Sequence, residues 1–387
     1  MIKTKHILIV LILALIIYFS KGSIYPTGSI ISRGSLTIIF LISLFYFVKS
    51  ILIRNKKNSH FFIAWTLFFI INLLGVFFSV KPQDIDIYYG RIINNLMTAF
   101  LFYPFYYFSY KNILSVKHLY IFLLIFIPIT ILNYFWTESQ VLSERISGNL
   151  DYVNNSSYQF VSLIPFLFFI NKKNKIVSYL LFSLLIIFII EGAKRGAIIS
   201  GLIGAIHFGY YHFKLGINKK NILKFLQTLL IVSVLFYFLI HLIQSNEFLL
   251  IRLESMLEGD SSGRDQIYSS LFYSWVDSAN FINILFGYGF AASKSLSLLG
   301  LYAHNDWLEL LTNYGLIGVL SYLFLFYYGF KMIFNKDITI TKKIILSCVM
   351  LTWLFISVVS MGYISSDHYF RAIILAYLSG SETSNML

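Results

Sequence analysis

Apolar runs of about 20 residues, separated by short polar breaks, recur along the whole chain and centre near residues 13, 43, 70, 100, 127, 164, 183, 205, 232, 319, 352 and 372. Wound as a helix, a run of that length matches a hydrocarbon slab about 30 Å thick. No water reaches the backbone inside the slab, so a crossing segment must satisfy its own N–H and C=O groups, as a helix does. The pattern predicts an all-α polytopic membrane protein of about 12 transmembrane helices, forming a single integral membrane domain over residues 1–387. One polar stretch is too long for a mere connection: residues 244–303, between the ninth and tenth runs, read as a long external loop with short helices. The first run, flanked by Lys3 and Lys5, reads as a span rather than a signal peptide. No small-x-small cleavage site stands out between Ser20 and Pro26, and the array follows at once.

Composition sharpens this reading. Of 387 residues, 58% are apolar and only 12% charged, half the roughly 25% charged complement of an ordinary globular domain. A soluble multi-domain enzyme, a nucleic-acid binder and a disordered chain are all excluded. The one cysteine, Cys348, sits inside an apolar run, so neither a disulfide framework nor a cysteine-based metal site is expected. The formal charge of +13 would suggest nucleic acid in a soluble protein; here it bears on orientation. With both termini cytoplasmic, 19 of the 30 basic residues fall in cytoplasmic segments, while 15 of the 17 acidic residues fall outside. That is the positive-inside pattern.

The choice of base is more informative than its number. Seven of the eight arginines (Arg33, Arg91, Arg145, Arg195, Arg252, Arg264 and Arg371) fall outside, whereas 18 of the 22 lysines fall inside. Lysine suffices as a topology signal, but the planar guanidinium grips carboxylate or phosphate oxygens bidentately. Arg33, Arg91, Arg195 and Arg371 lie near the outer ends of even-numbered spans, whose helix N-termini point outward. A cation there opposes the helix dipole, and a bound phosphate or pyrophosphate would reverse that penalty. The competing explanation is interfacial snorkelling of long basic side chains.

The span interiors carry no acid or base near the midplane, which disfavours ion-coupled transport. Their most polar members, Asn72, Asn94, Asn95, Asn133 and His207, read as interhelical hydrogen-bond glue. There is no Walker loop, no His-Glu-x-x-His and no glycine-rich strand-to-helix fingerprint, and Gly287-Tyr288-Gly289 is only a loop signal. Any chemistry is expected outside.

Within the external loop, Glu247 to Glu258 is predicted as a surface helix. A break follows at Asp260 to Gly263, where Ser or Asp is expected to cap a second helix over Arg264 to Ala279. Tyr268, Leu271, Phe272 and Trp275 recur on that helix at helical spacing, as a membrane-facing stripe or a sugar platform. The loop ends in Tyr302-Ala303-His304-Asn305-Asp306-Trp307-Leu308-Glu309, which runs straight into a span. On that helix His304 and Leu308 are one turn apart, as are Asn305 and Glu309, so a ring nitrogen and acidic groups can share the outer helix end. A histidine near its unperturbed pKa of about 6.5 takes a proton from a hydroxyl at neutral pH, and a neighbouring carboxylate would hold it and raise its basicity. His304 is thus the general-base candidate, with a satisfied interfacial histidine as the alternative. A metal held by His304 and Asp306 is not expected, since no third ligand clusters nearby.

These residues resemble the O-antigen ligase and O-antigen polymerase superfamily of bacterial inner membranes. His304-Asn305, nine residues, then Gly315-x-x-Gly318 fit the pattern H-[NSQ]-x9-G-x-x-[GTY] described for the ligases and shared loosely by many polymerases. Lys194-Arg195-Gly196-Ala197 is similar to the family's Ser/Thr-Arg-Gly turn, with lysine in the usual hydroxyl position, and Gly263-Arg264 followed by Gly287-Tyr288-Gly289 is similar to the loop pattern before the histidine. The resemblance implies metal-independent and cofactor-free glycosyl transfer at the periplasmic face. The donor would be an undecaprenyl-diphosphate-linked glycan and the acceptor a sugar hydroxyl. It implies His304 as the base and Arg195 and Arg264 as partners of the diphosphate. Arg33, Arg91, Arg145 and Arg371 join them on topology and the arginine bias, and Asn305 and Asp306 by their place beside His304. A flippase and a chain-length regulator are the implied protein partners.

The reading leans to a polymerase of O-antigen or capsular repeat units over a ligase that transfers the glycan to lipid A core. The His-Asn-Asp-Trp-Leu-Glu run and the content of 39 Phe, 28 Tyr and 22 Lys carry that lean. Two readings from other classes remain open at this stage: a lipid-linked oligosaccharide flippase with a hidden groove, and a non-catalytic membrane scaffold.

Overall fold

The computed structural model describes residues 2–52, 60–79, 85–144, 153–170, 174–216, 243–259, 263–363 and 368–385, with isolated positions at 233, 237, 240, 241 and 365. Among these the chain is helical throughout, with no strand beyond an isolated bridge between Lys21 and Tyr25. In chain order the helices are α1 (Ile2–Phe19), α2 (Ile30–Leu52), α3 (His60–Leu74), α4 (Ile85–Tyr110), α5 (Val116–Glu144), α6 (Ser157–Leu163), α7 (Lys175–Glu191), α8 (Arg195–Gly216), α9 (Glu247–Leu257), α10 (Arg264–Val276), α11 (Phe281–Phe286), α12 (Ala292–Leu296), α13 (Asp306–Phe334), α14 (Ile340–Val359) and α15 (His368–Asn385). Short 3₁₀ turns extend α3 over Gly75–Phe78 and α6 over Ile164–Phe169.

A helix lies at eleven of the twelve apolar runs; the run near residue 232 lies outside the described residues. Among the described residues, five helical stretches are long and apolar enough to cross a membrane: Ile30–Leu52, His60–Phe78, Val116–Gln140, Asp306–Phe334 and Ile340–Val359. The run near 164 is broken rather than continuous, because its α-helix gives way to a 3₁₀ turn with Pro165 at the start, where proline lacks the N–H that a longer helix needs. The long loop carries α9 and α10 close to where the sequence predicts them, and α11 and α12 besides. The residue before α10 is Gly263, at φ 76°, and caps with no side chain; Asp260, Ser261 and Ser262, the expected caps, lie outside the described residues.

By the packing of their residues, two compact units can be told apart in the chain. The first comprises residues 1–42, 111–257 and 339–352. In it Asn133 of α5 donates to Phe19 O at 2.7 Å and accepts from Ser23 Oγ at 2.8 Å, tying α1 to α5. Phe160 of α6 stacks on Phe188 of α7 at 5.0 Å, and Phe182 of α7 on Phe208 of α8 at 4.2 Å. His207 of α8 reaches Ser347 Oγ at 3.0 Å. The expected hydrogen-bond glue is therefore real at Asn133 and His207.

The second unit comprises residues 43–110, 258–338 and 353–387. Its α4 and α15 lie closely side by side. Tyr369 OH donates to Asn94 Oδ1 at 2.6 Å, Ser109 Oγ to Tyr377 O at 2.7 Å, and a Cβ on Gly380 would come within 2.5 Å of Tyr106 O. Asn72 behaves differently from the glue expected of it, bonding Phe68 O of its own helix at 2.7 Å. Phe68 of α3 stacks on Tyr322 of α13 at 4.9 Å. Large apolar side chains such as Leu320, Leu323 and Tyr327 stay exposed along α13, a face suited to hydrocarbon rather than water.

Helix α13 is interrupted at Gly315, whose φ of 61° and ψ of −156° are not helical. The interruption leaves the carbonyls of Thr312 and Asn313 for Tyr288 N–H and Gly289 N–H, both at 2.9 Å. This crossing needs two glycines. A Cβ on Gly287 would strike the Asn313 backbone, and one on Gly315 the Leu285 backbone, while positive φ is in any case costly to other residues. What reads as a loop signal in Gly287-Tyr288-Gly289 is the place where the segment before α13 clasps the break in that helix.

Candidate functional site

The His304 segment enters α13 through a well-formed cap. Asn305 has extended φ and ψ, and its Oδ1 accepts from Trp307 N at 3.0 Å and Leu308 N at 3.2 Å, so it answers two donors that the first turn leaves without helical partners. The helix begins at Asp306, not at His304. His304 stands outside it, exposed, at φ 52°, in a left-handed region that non-glycine residues occupy only when their surroundings hold them there.

This corrects the shared helix end expected for the ring and the acids. Both carboxyl groups turn inward and are fully buried. Asp306 accepts from Gly362 N at 2.6 Å, Tyr322 OH at 2.7 Å and Tyr363 N at 3.4 Å. Glu309 accepts from Ala303 N at 2.6 Å, from Ser293 Oγ, and from Asn313 Nδ2 at 3.3 Å. Asp306 is therefore a structural group of the interior rather than a substrate ligand, and Asn305 is first of all a helix cap.

The turn between α14 and α15 gathers the rest of the site. Arg264, the first residue of α10, donates from Nη1 to Val359 O at 3.1 Å. Arg91 of α4 directs Nη1 to Met361 Sδ at 3.4 Å and lies with Cζ 3.3 Å above the Tyr302 ring, within the usual range for a cation–π contact. Lys294 Nζ lies 6.0 Å from the same ring. Asp306 takes Gly362 N–H, and Asn313 Nδ2 reaches Tyr363 OH at 3.3 Å. Burial pushes the Tyr363 phenol well above its ordinary value, so it stays a neutral hydrogen-bonding group. Residues 359–363 thus link Arg91, Arg264 and the His304-Asn305-Asp306 segment inside one compact unit.

The remaining arginines lie elsewhere. Arg195 and Arg33 belong to the other unit: Arg195 opens α8 and donates to Arg252 O at 3.1 Å, and Arg33 is exposed in the first turn of α2. Arg145 lies outside the described residues. Arg371 is not at an outer surface, for it is 3% exposed, bonds His368 Nε2 through Nη2 at 3.2 Å, and stands near enough to act on the Asp306 carboxyl. Its burial argues against an open anion-binding role for Arg371.

The aromatic stripe of α10 divides between two environments. Leu271 packs in a small core with Ile267 and Ala303, and Trp275 donates to Ile284 O at 3.1 Å. Tyr268 and Phe272 instead line a groove of about 560 Å³ with Asn305, Trp307, Leu308 and Leu311 of the α13 segment. Sequence reasoning placed Glu309 beside the histidine but not its partners, and it missed Ser293, Lys294 and Tyr302 as neighbours of the site. The cap preference of Asn305 was the available signal, since it places residue 304 before the helix. Among the described residues, no three His, Cys, Asp or Glu side chains come together as a metal site would require. Comparison with known proteins finds no matching family model and no matching curated protein.

Proposed function

We propose that this chain is a membrane glycosyltransferase that polymerises undecaprenyl-diphosphate-linked oligosaccharide repeat units of O-antigen or capsule. It acts at the periplasmic face of a bacterial inner membrane, with twelve spans and both termini in the cytoplasm. The observation that carries the reading is the turn at residues 359–363. It ties two half-buried guanidinium groups, Arg91 and Arg264, to the segment that presents an exposed imidazole at His304. An acceptor hydroxyl loses its proton to His304 while its oxygen bonds the anomeric carbon of the donor. The bond from that carbon to the diphosphate breaks, and its electron pair leaves with the diphosphate. Guanidinium groups offset the charge that develops on the leaving group, the kind of fixed electrostatic help that counts most in a site with little water. Because the donor is activated in advance, no nucleotide site is needed. Arg195 joins the set through its resemblance motif; Arg33 and Arg145 join it on topology alone. A flippase delivers the donor and a chain-length regulator limits the product.

Purified protein mixed with lipid-linked repeat units alone tests the reading. A ladder of lengthening glycan is expected. Transfer that starts only when lipid A core is added makes the chain a ligase, and no transfer under either condition removes the enzyme reading.

A further inference from the structure

We infer that Glu309 is a positioning residue for His304, acting on the backbone before the histidine and not on its ring; the inference rests on the transferase reading above. Glu309 sits in the first turn of α13, fully buried, and reaches back along the chain. Its Oε1 accepts Ala303 N–H at 2.6 Å, and its Oε2 accepts from Ser293 Oγ and Asn313 Nδ2. Asn313 is itself held, since its Oδ1 accepts Ser293 N–H at 3.0 Å. The carboxylate therefore joins three segments: the residue before His304, the start of α12 and the second turn of α13.

Ala303 is fixed a second time, by packing against Ile267 and Leu271 of α10. On the other side of His304, Asn305 is fixed as the cap of α13. A residue clamped at both neighbours keeps a backbone conformation that it would otherwise leave, which accounts for φ 52° at a non-glycine position. The ring's place is then set by the clamp. With the Glu309 anchor gone, residues 302–304 relax towards extended backbone and carry the imidazole away from the acceptor, and a misplacement of order 1 Å costs about 100-fold in rate. The Arg91 charge lies close enough to act on the Glu309 carboxyl group.

Two measurements on one set of variants test this. The first leaves catalysis aside: the only native cysteine, Cys348, is buried, so a Cys348→Ala, His304→Cys protein takes a nitroxide spin label at position 304 alone. In lipid nanodiscs its spectrum should show an immobilised component, which Glu309→Ala removes and Glu309→Gln, which keeps an oxygen for Ala303 N–H, largely retains. The second uses proteins that keep His304. Glu309→Ala should lower kcat about 100-fold while KM stays within about 2-fold, and Glu309→Gln should recover most of the loss. An unchanged label spectrum in Glu309→Ala overturns the clamp, and so does a rise in KM that accounts for the whole loss. If the label is released but the unsubstituted protein joins no glycan, the clamp stands and the transferase reading falls.

Discussion

Asp306 Oδ1 accepts the backbone N–H of Gly362 at 2.6 Å, across 56 residues of sequence. The bond staples the start of α13 to the turn that follows α14, and it needs glycine at 362, because a Cβ there would come within 2.5 Å of Asp306 Oδ2. The carboxyl group also takes Tyr322 OH and Tyr363 N–H and stands near Arg371, so its removal leaves a buried cation and three buried donors without it. Asp306→Ala should destabilise the folded protein by about 3 kcal/mol, read as a lowered midpoint in thermal or detergent unfolding. Unchanged stability would contradict the interior role assigned to Asp306.

Arg371 separates from the other arginines on the same grounds. Buried and bonded to His368, it should behave in Arg371→Ala as a stability residue, with less folded protein and a lower unfolding midpoint, while the surviving folded fraction keeps its KM for donor. A specific rise in KM with unchanged stability would return Arg371 to the anion-binding surface.

Arg264 and Arg91 should behave in the opposite way. Each is half-buried, with a bond into the turn at residues 359–363. Arg264→Ala and Arg91→Ala should lower kcat by about 100-fold, the scale for losing one fixed group that stabilises developing charge. Arg264→Lys should rescue poorly, because a point charge cannot both hold Val359 O and offer a planar fork to a diphosphate. Steady-state kinetics with purified variants decide this, and full activity in Arg264→Lys would count against guanidinium recognition.

The clasp at the break in α13 predicts a backbone effect. Gly315 has positive φ, and a Cβ there would strike the Leu285 backbone. Gly315→Ala should therefore cost about 2 kcal/mol or more, measured as a lower unfolding midpoint. An alanine variant as stable as its parent would show that the loop does not clasp the helix there.

These cases mark what the amino-acid order reveals and what it conceals. Helix positions are legible because a run of apolar residues is a local signal, and α9 and α10 are legible from the polar breaks that flank them. The break in α6 and its 3₁₀ turn is local too, but Pro165 carries little weight inside an apolar run. The start of α13 was readable in principle from Asn305, whose type favours a cap; treating residues 304–309 as one helix placed the two carboxylates beside the ring. Where those carboxylates go depends on Gly362, Tyr322, Ala303 and Ser293, partners supplied by tertiary packing with no local trace. Arg371 was misplaced for a related reason, because nearness to a helix end does not say whether that end is covered. The clasp between Gly287 and Gly315 likewise depends on two backbones meeting.

The central claim is that His304 removes the proton from the attacking hydroxyl. It is tested most directly by His304→Ala, purified and reconstituted, assayed with lipid-linked repeat units alongside the unsubstituted protein. Because His304 is exposed, its replacement should leave the unfolding midpoint and donor binding unchanged while glycan joining falls by about 100-fold or more. A variant that builds the ladder at the parental rate would contradict the account.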